Sequence, residues 1–128
     1  MILDSSAVVA IVLREPDHQR ILARMQAAAR LSIGAATLLE AAIVLSSRLG
    51  EDARGRLARL LQEGGIGILP VTDAHYAVAM DAWLRFGKSR HPAALNFGDC
   101  LSYAMAIVAH EPLLCVGDDF PQTDCPLA

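Results

Sequence analysis

The spacing of apolar and polar residues changes period several times along the chain, and each change marks a predicted element. An apolar start closed by an acid predicts a short buried strand at residues 2–4. Residues 5–13 predict a helix, stopped by Glu15-Pro16 because proline denies the next turn its N–H. Residues 17–30 predict an amphipathic helix with Ile21, Leu22, Met25 and Ala29 on one side. A second short strand at 31–33 turns through Gly34 into a helix from about 36 to 49, capped by Gly50. The next helix spans 51–63 and is closed by Gly64-Gly65, before a third strand at 66–71. Thr72 or Asp73 caps a helix to about 86, and Asn96 or Asp99 starts another running through 109. Pro112 ends it, and a fourth strand follows at 113–116.

Strands that alternate with helices pair in parallel, and helices are expected on both faces of such a sheet. The uniformly apolar run Leu113-Leu114-Cys115-Val116 fits that burial. The predicted fold class is α/β, a short central parallel sheet flanked by helices, in one domain over residues 1–128.

Composition narrows the class. At 54% apolar and a net charge of −3, a chain of 128 residues collapses rather than staying disordered. Alanine supplies 22 of those apolar positions, so much of the total is helix filler. The longest greasy stretch, 33–45, is interrupted by Glu40 and falls short of the ~20 residues of a membrane span. Met1-Ile2-Leu3-Asp4 has no basic segment ahead of its apolar part, so no signal peptide is expected. Cys100, Cys115 and Cys125 are odd in number and form no C-x-x-C pair, as expected of reduced thiols in a cytoplasmic protein. The negative balance argues mildly against a general nucleic-acid coat, though not against local contact with a phosphate backbone.

In open parallel sheets the chemistry sits beyond the carboxyl ends of the strands, and there this chain carries acids. Asp4 follows the first strand; alone it is as well explained as a helix N-cap. Glu40 lies inside an apolar helix, with Ala36, Ile43 and Val44 on its own face. An ionised carboxylate there costs several kcal/mol, of the order seen for buried charges, unless it is paired, metal-bound or solvated. Asp99 opens another apolar helix, where capping is the plain alternative, and Asp118 and Asp119 follow the last strand in a turn after Gly117. Like charges ~4 Å apart repel by ~4 kcal/mol at an effective dielectric of 20, so a cluster of these acids calls for a cation. All-oxygen donors without His or Cys at ligand spacing select Mg²⁺ or Mn²⁺.

Ile2-Leu3-Asp4-Ser5-Ser6-Ala7, the mid-helix Glu40, Asn96-Phe97-Gly98-Asp99-Cys100 and Gly117-Asp118-Asp119-Phe120 with Thr123-Asp124 together resemble the PIN-domain family. More narrowly they resemble the VapC toxins of bacterial VapBC toxin–antitoxin pairs, from residue 1 to about 124. The resemblance implies a PIN-like fold and a Mg²⁺- or Mn²⁺-dependent endoribonuclease that hydrolyses RNA with a metal-activated water. It also implies inhibition by a VapB-type antitoxin, and a homodimer. The family's acids fall on Asp4, Glu40, Asp99 and, in the doublet, on Asp119 with Asp118 as the alternate; Ser6 matches a small polar residue that supports the first Asp. The implied roles are direct metal contact for Asp4 and Asp99, with Glu40 and Asp119 acting directly or through water.

Arg85, Lys88, Arg90 and His91 form a basic run upstream of Asp99, read either as a solvated loop or as a contact for RNA or antitoxin. Arg54, Arg56 and Arg59, among Glu51, Asp52 and Glu63, read as a solvated helix face, and His18, His75 and His110 are scattered without a motif. Ile11, Val12 and Leu13 are candidates for an antitoxin groove or dimer surface, or simply for core. Two other readings stand beside the ribonuclease: a non-catalytic interaction module whose acids are helix caps, and a PIN nuclease acting on other nucleic acids. A haloacid dehalogenase-type phosphatase is disfavoured, because Ser6 stands where its second Asp belongs.

Overall fold

Two residues suffice for the first strand, β1 (Ile2–Leu3), because successive side chains point to opposite faces of a sheet. Ile2 enters one apolar cluster with Leu95, Tyr103, Met105, Leu113 and Phe120, and Leu3 the other, with Val8, Ile21, Ile33, Leu45 and Leu114. In the computed structural model, which describes residues 1–128, β1 is joined by β2 (Leu31–Gly34), β3 (Ile66–Leu69) and β4 (Leu113–Leu114). All pair in parallel in the order β3-β2-β1-β4. Helix pairs make the crossovers: α1 (Ser5–Val12) with α2 (His18–Ala27), α3 (Ala35–Leu49) with α4 (Arg54–Gly64), and α5 (Asp73–Phe86) with α6 (Phe97–Ala109). β1 lies in the centre, so its carboxyl end opens between neighbours on both sides.

The boundaries depart from the sequence pattern where a backbone group finds a better partner. The helix predicted over 17–30 ends at Ala27, since Ala28 turns extended to deliver Leu31 to the sheet. The one predicted over 51–63 starts only at Arg54. Ala53 is buried and donates its N–H to Ser46 Oγ at 2.9 Å, which holds the preceding link out of the helix. β3 stops at Leu69 because Pro70 has no N–H to continue the ladder. β4 keeps two of the four predicted residues, and the Val116 N–H goes to the Ser6 hydroxyl instead of a strand. Helices do not cover the sheet completely: β3 is an edge strand, and Ile68 on it is 52% exposed.

Ile11, Val12 and Leu13 pack partly buried against the larger core cluster. All three cysteines are free thiols, and no helix is long and apolar enough to cross a membrane.

Candidate active site

Asp4 leaves β1 with extended backbone and caps α1, accepting the Ser6 N–H at Oδ2 (3.0 Å). The Ser6 hydroxyl donates to the same oxygen at 2.6 Å and accepts the Val116 N–H at 3.0 Å. One serine therefore ties the end of β1 to the segment leaving β4. Capping uses only Oδ2. The carboxylate is 4% exposed, and its other oxygen, Oδ1, is buried with no hydrogen-bond partner. An acceptor in that condition costs about 1–3 kcal/mol, and more for a charged group, unless a ligand supplies the missing contact.

Glu40 stands half-buried on α3, and its carboxylate lies in the space that a side chain at Gly98 of α6 would fill. A groove of roughly 310 Å³ runs past it, walled by Leu39, Ile43, Phe97 and Leu101. Thr37, one turn before Glu40, shares a buried hydrogen bond of 3.3 Å with Ser102, one turn after Asp99. That bond holds the two acid-bearing helices side by side.

Asp99 is in the first turn of α6 and forms a reciprocal cap with Asn96. Its Oδ2 accepts the Asn96 N–H at 3.0 Å, while Asn96 Oδ1 accepts the Asp99 N–H at 2.9 Å. Burial pushes its carboxyl up to about 6; the Asn96 hydrogen bond opposes this, and the charges of Asp4, Asp119 and Glu40 add to it. Three of the sequence-selected acids, Asp4, Glu40 and Asp119, are thus within electrostatic reach of the fourth, Asp99. Of the doublet, it is Asp119 whose charge is felt at Asp99. Asp118 is exposed, and its carbonyl accepts from Gln122.

None of these five acids takes part in an ion pair; the paired carboxylates all lie elsewhere. Nor do three or more His, Cys, Asp or Glu side chains converge as a ready-made cage for a metal ion. The donor set fits a hard divalent cation: oxygen only, unpaired with bases, and including the orphaned Asp4 Oδ1. Mg²⁺ needs only one or two protein carboxylates, the rest of its shell being water and phosphate.

The basic run is partly spoken for. Arg85 pairs with Asp124 at 2.6 Å, and Arg90 lies over the Trp83 ring while donating to the Leu84 carbonyl. Lys88 is exposed without a partner. A cation that the motifs do not flag also reaches this end of the sheet: Arg20 on α2 donates from Nη2 to the Cys115 carbonyl at 3.4 Å, just past β4. No local signal marked it, because α2 reaches that strand end only through the fold. A second groove, of roughly 450 Å³, adjoins the first through Phe97 and Leu101 and is lined by Val71, Tyr76, Met80 and Trp83. Phe97 itself is 83% exposed.

A family model described as PIN domain matches residues 1–125. The chain is similar to the VapC ribonuclease Mb2004c of Mycobacterium bovis, with 49% identity covering 97% of this chain and 90% of the relative. It is 37% identical to Ribonuclease VapC30 of Mycobacterium tuberculosis, over 97% of this chain and 95% of that one. A solved toxin–antitoxin complex from Klebsiella pneumoniae contains a chain that superposes with a TM-score of 0.71, covering 99% of this chain and 95% of that chain. At 13% identity that likeness speaks for the fold alone.

Proposed function

The chain belongs to the PIN-domain family, with VapC ribonucleases among its relatives, and we propose that it is the endoribonuclease toxin of a type II toxin–antitoxin pair, dependent on Mg²⁺ or Mn²⁺. The observation that carries this reading is the buried, unpartnered Oδ1 of Asp4, an acid whose charge, with those of Asp119 and Glu40, is felt at Asp99 and which no base neutralises. As helix caps alone these acids are only half accounted for: Asp4 spends Oδ2 on its cap and Asp99 spends Oδ2 on Asn96, leaving one oxygen of each free.

Asp4 and Asp99 would hold the cation, with Glu40 and Asp119 completing its surroundings directly or through water. When bound, a divalent ion lowers the pKa of the attacking water and draws charge from the non-bridging phosphate oxygens. Ser6 fixes the rotamer of Asp4, so that Oδ1 stays aimed away from the cap. The carboxylate of Glu40, free of any ion pair, is the group placed to accept a proton from water. Asn96 orients Asp99 and keeps part of its negative charge available despite burial.

The expected partners are RNA, a VapB-type antitoxin and a second copy of the chain, in the cytoplasm. The homodimer is supported by the exposed apolar side chains Tyr76, Met80, Trp83 and Phe97, which lie together around one groove. The test is cleavage of purified RNA by the isolated protein with Mg²⁺, Mn²⁺ or EDTA. Metal-dependent cleavage by the wild type and none by Asp4→Asn or Asp99→Asn is the expected result; unimpaired cleavage by either variant overturns it.

A further inference from the structure

Four carboxylates outweigh the charge of one divalent ion, so even with the proposed cation bound an RNA backbone needs further cationic help beside them. The guanidinium of Arg20 is anchored at the strand end that carries the site. Its acceptor, the Cys115 carbonyl, lies between two residues tied to Asp4: Leu114, whose carbonyl accepts the Asp4 N–H, and Val116, whose N–H is held by Ser6. The Cys115 thiol registers both signs of charge there, raised by Asp4, Asp119 and Asp99 and lowered by Arg20, on top of a larger rise from burial.

Three features set Arg20 apart from a solvated arginine. It makes no ion pair with the nearby cluster; its only acidic partner is Asp17, at 3.6 Å, and the side chain is 48% exposed. It occupies the first turn of α2, the end of a helix where a cation is disfavoured by the backbone dipole. And with Nη2 on a carbonyl and Nε beside Asp17, the Nη1 end of its fork stays open to a phosphate oxygen.

We propose that Arg20 is an RNA-backbone contact of this site, receiving the phosphate next to the scissile bond and holding it beside Asp4 and Asp119. The inference rests on the ribonuclease reading and deepens it. Its test measures binding as well as cleavage. A fluorescein-labelled single-stranded RNA is titrated with wild type, Arg20→Ala, Arg20→Lys and Arg24→Ala in EDTA at several salt concentrations, and cleavage kinetics follow with Mg²⁺. Arg24 lies one helical turn further along α2, about 6 Å away, and serves as the control for general charge loss.

Arg20→Ala is expected to weaken binding about tenfold and to flatten the plot of log affinity against log salt by about 0.7, one phosphate contact on a single strand. Arg20→Lys is expected to keep the salt slope and raise KM, since a point charge replaces the fork. Arg24→Ala is expected to stay near wild type. Wild-type affinity and slope in Arg20→Ala, or an equal loss in Arg24→Ala, overturns the proposal. So does an Arg20→Ala protein that handles RNA normally but escapes its antitoxin, which assigns the arginine to a protein contact. A wild type that binds RNA with this Arg20 dependence yet never cleaves it refutes the nuclease reading and leaves the contact standing.

Discussion

Gly98 makes room for the Glu40 carboxylate: a Cβ at that position would stand 2.1 Å from Oε2 and 2.8 Å from Cδ. Two helices distant in sequence meet there, and the glycine is what lets an acid of one lie against the backbone of the other. Gly98→Ala is therefore expected to swing Glu40 aside without harming the fold. The displaced atoms are the end of a flexible chain, and alanine suits a helix better by up to about 1 kcal/mol. The melting temperature should hold or rise while cleavage falls by roughly tenfold or more, a loss of about 1.4 kcal/mol in transition-state stabilisation. Equal activity in the two proteins would show that the position of Glu40 is immaterial.

Asp99 is a strained charge. With its folded pKa raised to about 6, above its unfolded value, the folded state binds the proton more tightly. Metal-free stability should therefore fall as pH rises from about 4, the unfolded value, to about 6, then level off. Asp99→Asn removes the charge while its amide oxygen can still accept from Asn96. In EDTA at pH 7.5 it is expected to be more stable than wild type by on the order of 1 kcal/mol, allowing for solvent screening of a half-buried group. Urea unfolding at pH 7.5 and pH 4 checks this; the gap should close at the lower pH.

The same proton competes with the metal. Below about pH 6 the affinity for Mn²⁺ should drop by up to about tenfold per pH unit as Asp99 protonates. Calorimetric titration from pH 5 to 8 reads it directly, and a pH-independent affinity would remove Asp99 from the ligand set.

Ser6→Ala deletes the hydroxyl shared by Asp4 and the Val116 N–H. Leaving that N–H unsatisfied should cost about 1–3 kcal/mol. Cleavage should fall with it, because Asp4 loses the contact that holds its rotamer. Chemical denaturation and a cleavage assay with Mn²⁺ raised to saturation separate the two effects; full rescue by metal would confine the role of Ser6 to affinity.

Phe97→Asp tests the second copy. At 83% exposure Phe97 contributes little to its own fold, so the melting temperature should barely change. Analytical ultracentrifugation is expected to find a dimeric wild type and a monomeric variant. A dimer in both would move the interface off this face.

Much of this is legible in the sequence. The alternation of strands and helices, the left-handed glycine caps at Gly50 and Gly65, and the acids at strand ends are local signals, set by hydrogen bonding and periodicity within a few residues. Boundaries are less so: the Ser46 hydroxyl that holds Ala53 carries no periodicity signal, and Ser6 reaching Val116 spans 110 residues, which no window of sequence contains.

By itself the sequence determined that this is an α/β chain with acids where parallel sheets do chemistry. Its motifs pointed to the PIN family, to which the chain belongs. Only the tertiary structure decided which oxygen of Asp4 is left without a partner, that the charge of Asp119 is felt at Asp99, and that Gly98 cradles Glu40. It alone brought Arg20 to the end of β4 and turned Phe97 outward. The physical reason is range. Propensity and capping act along the chain, whereas burial and Coulomb forces act through space, between residues that meet only when the sheet has closed.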